Sequence, residues 1–315
     1  MTTLLEVRKL SKHYPARDGN GLVKAVNDVS LALEVGRTLG IVGESGCGKS
    51  TLARLILRLI EPTAGTIHFN GENLVDLASS ALRRRRRDIQ IVFQDPYASL
   101  DPRMNVASII AEPLDIHGIG SKAERKAKVL ELLDLVGLDP NAASNFPHEF
   151  SGGQRQRIGI ARAIALEPKL VVLDEPVSAL DVSIQSQILN LLIDLKQRLG
   201  LSYIFISHDL SVVEHVSDDV AVMYLGQIVE HGKTAQVLRA PLHPYSQALI
   251  SAIPEIDPKK KKQRIVLTGD PPNPEDIPPG CPFHPRCRQV MGMCRHTPPA
   301  LRVTQDREVA CHLYS

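Results

Sequence analysis

The chain has 315 residues, 43% of them apolar, and a net charge of +2. Its length exceeds the usual single domain, so one large domain plus an extension is expected, with enough apolar content for a sizeable core. The small net charge excludes a global nucleic-acid footprint, and five cysteines without a dense framework argue against a disulfide scaffold.

Residues 1–6 lack the basic region and apolar core of a signal peptide, and no apolar stretch approaches the roughly 20 residues of a membrane span. A cytosolic protein is expected, reaching any membrane through a partner. Residues 4–35 alternate in short apolar runs around the turn signal Asp18-Gly19-Asn20-Gly21 and read as an antiparallel β region. Tyr14 falls in its first loop. It is either a surface tyrosine or a flat apolar face for an adenine ring.

The apolar run Leu39-Gly40-Ile41-Val42 ends in a glycine-rich loop, and a helix-like pattern follows from Leu52. The spacing Gly43-x4-Gly48-Lys49-Ser50 fits the phosphate-loop template in the strand–loop–helix context that template requires. Gly43, Gly46 and Gly48 let the backbone bend tightly and aim N–H groups inward, and the helix N-terminus adds partial positive charge. Lys49 is a point charge for the β- and γ-phosphates, and Ser50 offers a hydroxyl to Mg²⁺. Ser45, Cys47 and Thr51 complete the nucleotide-binding stretch, Cys47 as a bystander at a variable position.

Residues 65–71 read as a short strand closed by Asn70-Gly71, and residues 77–87 as a very basic helix. The basic runs Arg83 to Arg87 and Lys259 to Lys262 are solvated faces or contacts for phosphate or lipid. Residues 89–93 form a strand with Gln94 at its end. Prolines 96, 102, 113 and 147 then punctuate a helical insertion, whose best helix covers 122–136, with Val129, Leu132, Leu133 and Val136 in phase. Ser151-Gly152-Gly153-Gln154 opens a helix running to about Leu166; taken alone it is a helix cap.

Residues 169–175 form a continuous apolar strand ending in Asp174-Glu175, the pattern of a buried parallel strand, and ligands bind at the carboxyl ends of such strands. Asp174 can hold Mg²⁺, and Glu175 can orient or deprotonate a water. Two adjacent acids also suit a solvated turn. An amphipathic helix over 183–199 leads to a buried strand over 203–206 and then His208. Gly43, Gln94, Asp174 and His208 are thus expected at one edge of the sheet. Residues 220–230 read as a terminal hairpin around Gly226.

These residues together resemble an ABC-transporter nucleotide-binding domain over about residues 4–235. The resemblance assigns Gly43 to Ser50 to Walker A, Gln94 to the Q-loop and Ser151 to Gln154 to the signature, here opening Phe150-Ser151 rather than Leu-Ser. It assigns Leu170 to Glu175 to Walker B, Ser178 to Asp181 to the D-loop, His208 to the switch histidine and Tyr14 to the aromatic A-loop. It implies a P-loop NTPase α/β fold: a parallel-sheet core, an antiparallel β subdomain, a helical insertion at about 95–165 within a domain spanning 1–235, and a C-terminal extension over 236–315. It implies ATP and Mg²⁺, with Ser50, Gln94 and Asp174 at the metal, Glu175, His208 and Gln94 in catalysis, and Ser151, Gly152, Gly153 and Gln154 reaching a partner's ATP in trans.

The stretches Gly43-Glu44-Ser45-Gly46-Cys47-Gly48-Lys49-Ser50, Phe93 to Arg103 and His243-Pro244-Tyr245-Ser246-Gln247-Ala248-Leu249 are similar to bacterial dipeptide and oligopeptide importers. That resemblance implies an ATPase powering peptide uptake at the cytoplasmic face of the inner membrane. Its implied partners are a second homologous ATPase subunit (a heterodimer), two membrane-spanning permeases and an extracytoplasmic peptide-binding protein. Nickel and other solute importers share these motifs. A soluble ABC ATPase is the rival class, disfavoured by a single P-loop and the lack of a heptad run, and a scaffold with a degenerate site is disfavoured by intact Glu175 and His208.

Beyond about residue 235 the chain is proline-rich with little periodicity, and a poor core is expected. Cys281, Cys287, Cys294 and Cys311 follow the spacing C-x5-C-x6-C-x16-C, which lacks the tight pair of zinc ribbons. Four thiolates suggest a metal staple, either an iron–sulfur cluster or zinc, with free structural thiols as the third possibility. His284, His296 and His312 could substitute in a zinc site but read as surface residues. The importer resemblance implies a [4Fe–4S] cluster on the four cysteines.

Overall fold

The computed structural model describes residues 2–16, 21–253 and 264–314; most of the turn signal at 18–21 and the lysine run at 259–262 lie outside the described residues. In chain order the elements are β1 (Thr3–Pro15), β2 (Leu22–Glu34), β3 (Thr38–Val42), α1 (Lys49–Ile56), β4 (Ala64–Phe69), β5 (Glu72–Asn73), α2 (Ser79–Arg85) and β6 (Ile89–Val92). There follow α3 (Val106–His117), α4 (Lys122–Leu135), α5 (Gly152–Ile164), β7 (Leu170–Asp174), α6 (Val182–Leu199), β8 (Ser202–Ser207) and α7 (Leu210–Val216). The chain closes with β9 (Asp219–Tyr224), β10 (Gln227–Lys233), α8 (Thr234–Arg239), α9 (Pro244–Ser251), β11 (Arg302–Thr304) and β12 (Arg307–Val309). These elements group into two units: one built mainly from Asp76–Ile206, the other from Thr3–Leu33, Thr38–Val75 and the chain from Ser207 onward.

In the first unit β6, β7 and β8 are parallel, with Ile89 opposite Leu170 and Leu170 opposite Ser202. Every residue of β7 is buried, and residues 170–173 are apolar without alternation, as in strands covered on both faces. The helices start where their caps dictate. Asn105 accepts the Ser108 N–H at the head of α3, and Ser121 with Glu124 forms a reciprocal capping box on α4. Ile109, Val129, Leu133 and Ile158 are fully buried, each contributing roughly 1.5–3 kcal/mol by removal from water. The helix expected over 122–136 is α4 plus its C-cap Val136.

In the second unit β2, β1, β4 and β5 form an antiparallel sheet in that order, with Leu5 opposite Phe69 and Val7 opposite Ile67. Tyr14, expected in a loop, lies inside β1, which runs unbroken to Pro15; its pairing with β4 passes a register shift between Arg8 and Ser11 and reaches Ser11 opposite Ala64. The second sheet region of this unit places β3 parallel to β9, then β10, β12 and β11, all antiparallel. The hairpin expected around Gly226 is β9–β10, but it does not end the fold, since the C-terminal segment returns as β12 to pair with β10, Glu230 opposite Val309.

That return corrects the expectation of a poor core in the tail. The segment makes few regular elements of its own but shares a buried aromatic cluster with β9 and α9. Phe283 sits edge-on to Tyr224 at 5.3 Å and to Tyr245 at 5.5 Å between ring centroids. Beneath β12, Glu230 is completely buried. It accepts the N–H groups of Leu242 and His243, each at 2.9 Å, and the Arg307 guanidinium at 3.2 Å.

Candidate functional site

The phosphate loop follows β3, all five residues of which are buried. At Gly43, φ is 155°, and a Cβ there would stand 2.2 Å from the Met223 carbonyl oxygen. At Gly48, φ is 108°, and a Cβ would stand 2.1 Å from the Ala25 carbonyl oxygen. Both positions therefore exclude a side chain, for room as much as for conformation. The loop is braced from outside: the Gly226 N–H donates to Cys47 O over 2.9 Å, and the Asn27 N–H donates to Gly226 O over 2.8 Å.

Gly48 caps α1 without a side chain, so the first turn carries no side-chain acceptor there. Lys49 is buried, its Nζ donating to Gly43 O at 2.8 Å and Glu44 O at 3.0 Å. A cation is thus suspended over the loop's own carbonyls, beside a helix N-terminus, which is an anion site by construction. Ser45 is exposed, and Ser50 and Thr51 stand in the first turn of α1. The Cys47 thiol is buried, and burial pushes its pKa up. In the same unit His208 follows β8 and is exposed, just before Asp209, which caps α7 by accepting the Ser211 N–H at 2.9 Å. Tyr14 is partly exposed, with Lys12 Nζ 5.0 Å from its ring centroid.

The other unit holds the acid pair. Asp174 ends β7 and is buried; Glu175 follows with φ 48°, a left-handed conformation that costs a non-glycine residue about 1–3 kcal/mol. That turn is held by the Glu175 N–H donating to Ile206 O over 3.0 Å and by Ser178 Oγ donating to Glu175 O over 3.1 Å. It aims the carboxylate at Gln94, whose Nε2 donates to Glu175 Oε2 over 3.0 Å. Two polar residues 81 positions apart are brought into direct contact.

Ser151 and Gln154 form a capping box on α5: the Gln154 N–H donates to Ser151 Oγ at 3.4 Å, and the Ser151 N–H donates to Gln154 Oε1 at 3.0 Å. Gly153 has a packing reason as well, since a Cβ there would come within 2.4 Å of Ile184 Cγ2 on α6. Arg155, buried beneath this turn, donates to Pro147 O and lies with its guanidinium carbon 3.7 Å from the centroid of exposed Tyr97.

The sequence reading missed two residues at the phosphate loop. Tyr245 Oη accepts the Glu44 N–H at 2.9 Å, and Arg286 grips the Glu44 carboxylate through both terminal nitrogens, at 2.9 and 3.1 Å. The available signal was the position of Arg286 between Cys281 and Cys287.

Among the described residues the four tail cysteines form no disulfide. Burial pushes Cys281 up to about 11, and the thiols of Cys294, Cys311 and Cys287 push the same way, so the four are neighbours. The donors suit a soft metal or a cluster. Their placement does not: among the described residues no three His, Cys, Asp or Glu stand where they could hold a metal ion. The expected cluster therefore gains no support from their geometry.

Residues 26–178 match the family model for ABC transporters, and residues 229–294 match that for the C-terminal region of oligopeptide/dipeptide transporters. The chain is 51% identical over 322 residues to the oligopeptide transport ATP-binding protein AppF of Bacillus subtilis, covering 99% of this chain and 98% of that protein. The chain belongs to the ABC transporter ATP-binding family. It is also 51% identical to the dipeptide transport ATP-binding protein DppF of Escherichia coli, covering 98% of this chain and 93% of that protein. Among solved structures, an ATP-binding cassette dimer bound to ADP and Pi superposes with a TM-score of 0.67 at 30% identity, covering 73% of this chain and 99% of that one. CbiO1 of Clostridium perfringens, part of an ABC transporter complex, does so with a TM-score of 0.67 at 28% identity, covering 76% and 92%. This ABC ATP-binding domain thus carries, beyond the shared cassette, the C-terminal region of the peptide transporters. No helix among the described residues is long and apolar enough to cross a membrane.

Proposed function

We propose that this chain is the ATP-hydrolysing subunit of an ABC importer for dipeptides and oligopeptides. The observation that carries the reading is the phosphate loop, with Gly43 and Gly48 fixed by space and Lys49 held over the loop carbonyls. Lys49 and the first-turn N–H groups of α1 bind the β- and γ-phosphates of the substrate ATP, and Tyr14 offers its ring to the adenine. Ser50, Asp174 and Gln94 supply oxygen donors suited to a hard cation. A Mg²⁺ ion held by these residues would neutralise charge on the phosphates. Glu175, oriented by the Gln94 amide, takes the proton of the attacking water, and His208 contacts the terminal phosphate.

Ser151, Gly152, Gly153 and Gln154 present a capped helix N-terminus to the nucleotide of a second ATPase subunit, which completes the anion site from its open side. ATP then joins the two subunits, and hydrolysis loosens them. The second subunit is a homologue, and the pair drives two permeases fed by a peptide-binding protein. The protein sits peripherally on the cytoplasmic face of the membrane. A [4Fe–4S] cluster on Cys281, Cys287, Cys294 and Cys311 is a separate proposal, resting on the number and spacing of the cysteines and on the importer resemblance alone. Iron and sulfide assays on anaerobically purified protein test it, and a colourless, iron-free sample sinks it.

The import reading is tested by isolating the chain from detergent-solubilised membranes. It predicts two integral permeases and a second ATPase in the complex, with turnover raised by peptide-loaded binding protein. Isolation without integral membrane subunits, or turnover indifferent to peptide, would overturn it.

A further inference from the structure

The C-terminal region meets the phosphate loop at Glu44. Glu44, just after Gly43, is held at three points. Its N–H donates to Tyr245 Oη at 2.9 Å, its carbonyl accepts from Lys49 Nζ at 3.0 Å, and its carboxylate takes Arg286 Nη1 and Nη2 at 2.9 and 3.1 Å. Arg286 is itself well fixed. Its side chain is 7% exposed, and its N–H donates to Phe283 O at 3.0 Å, next to the ring that packs on Tyr224 and Tyr245. One aromatic cluster therefore sets both the hydroxyl and the guanidinium that clasp Glu44.

A carboxylate in an anion-binding loop works against the ligand. The Glu44 side chain is 29% exposed, so solvent alone screens its charge incompletely. Its field reaches the loop interior: after burial and the opposing pull of Lys49, the Glu44 charge helps keep the Cys47 thiol up. A bidentate guanidinium cancels that charge and fixes the carboxylate at two points, which a lysine cannot do.

Taking 43–51 as the ATP loop, we propose that Arg286 is a positioning residue for nucleotide binding. It neutralises Glu44 and, through Glu44, steadies the backbone to which Lys49 is anchored. The C-terminal region thereby tunes ATP affinity, beyond packing against the domain that carries the loop.

The test measures ATP dissociation constants and Tm for the wild type, R286M, E44Q, the R286M/E44Q pair and K49A, all as full-length chains. R286M is expected to raise the dissociation constant about tenfold, the worth of one charge-assisted contact. Removing the stranded carboxylate in R286M/E44Q should bring it back to within about threefold of wild type, while Tm stays near that of R286M. ATP affinity unchanged in R286M, or a double variant as weak as R286M, would overturn the proposal and leave Arg286 as a staple for the tail. K49A separates the two readings, because equal binding by wild type and K49A would instead remove the ATP-loop assignment. Should R286M not fold, R286K carries the test. It keeps the charge and loses the fork, so a loss of no more than about threefold is expected, and a loss as large as that of K49A would overturn the proposal.

Discussion

Replacing Gly48 by alanine should disable the phosphate loop, and Gly46 supplies an internal control. Both have positive φ, 108° and 78°, so an L side chain is disfavoured at each by about 1 kcal/mol or more. They differ in space. A Cβ at Gly46 meets nothing within 4 Å, whereas at Gly48 it would sit 2.1 Å from the Ala25 carbonyl oxygen and 2.9 Å from the Met223 methyl. The methyl can yield; the Ala25 backbone, within β2, cannot. An ordinary carbon–oxygen contact therefore demands that the loop retreat by about 1 Å, and a misplacement of that size costs on the order of 10²-fold in turnover. G46A should keep activity within about fivefold, the strain alone. The assay is steady-state ATP hydrolysis by the assembled transporter, with nucleotide affinity measured in parallel. Equal losses for G46A and G48A would refute the reasoning, because backbone strain, and not the contact with Ala25, would then decide the outcome.

Arg307→Leu should destabilise the protein by about 3–5 kcal/mol, because it strands the fully buried Glu230 carboxylate without its cation. A fall of roughly 10 °C in Tm checks this, and a fall under about 2 °C counts against it. His243 is buried and neutral, its Nδ1 accepting the Tyr245 N–H, and burial drives its pKa down to about 3 from an ordinary 6.5. Its folded pKa lies below its unfolded one, so the unfolded chain binds the extra proton first. Stability contributed by the neutral ring is whole above pH 6.5 and falls by about 1.4 kcal/mol per unit as pH drops toward 3. Unfolding midpoints between pH 7 and 5 should show a slope that His243→Gln flattens; identical slopes would remove His243 as its source.

The phosphate loop was legible because its chemistry is contiguous: the residues that bend, charge and cap it lie within nine positions, and only one backbone path satisfies them. Helix α4 and hairpin β9–β10 were legible from apolar spacing and from turn residues. What escaped were contacts closed over long sequence distances. Arg286 and Glu44 lie 242 positions apart, and nothing periodic joins them. The tail read as coreless because it is proline-rich and aperiodic, whereas Phe283 is buried against Tyr245 of α9 and against Tyr224, which belongs to β9. Tyr14, expected in a loop, lies in β1, because proline is tolerated at the strand's last residue, Pro15, where no further ladder bond need be donated. The glycines of the signature had a second meaning hidden from sequence, since Gly153 is also the price of close approach between α5 and α6.

In the proposed mechanism ATP is cut by a water activated at Glu175. The most direct measurement is single-turnover hydrolysis by Glu175→Gln at saturating ATP, with nucleotide affinity measured on the same sample. The substitution keeps the shape of the side chain that meets Gln94 and removes the proton acceptor. Near-normal ATP affinity is expected, with hydrolysis slowed about 10²- to 10⁴-fold. Hydrolysis at the wild-type rate would contradict it.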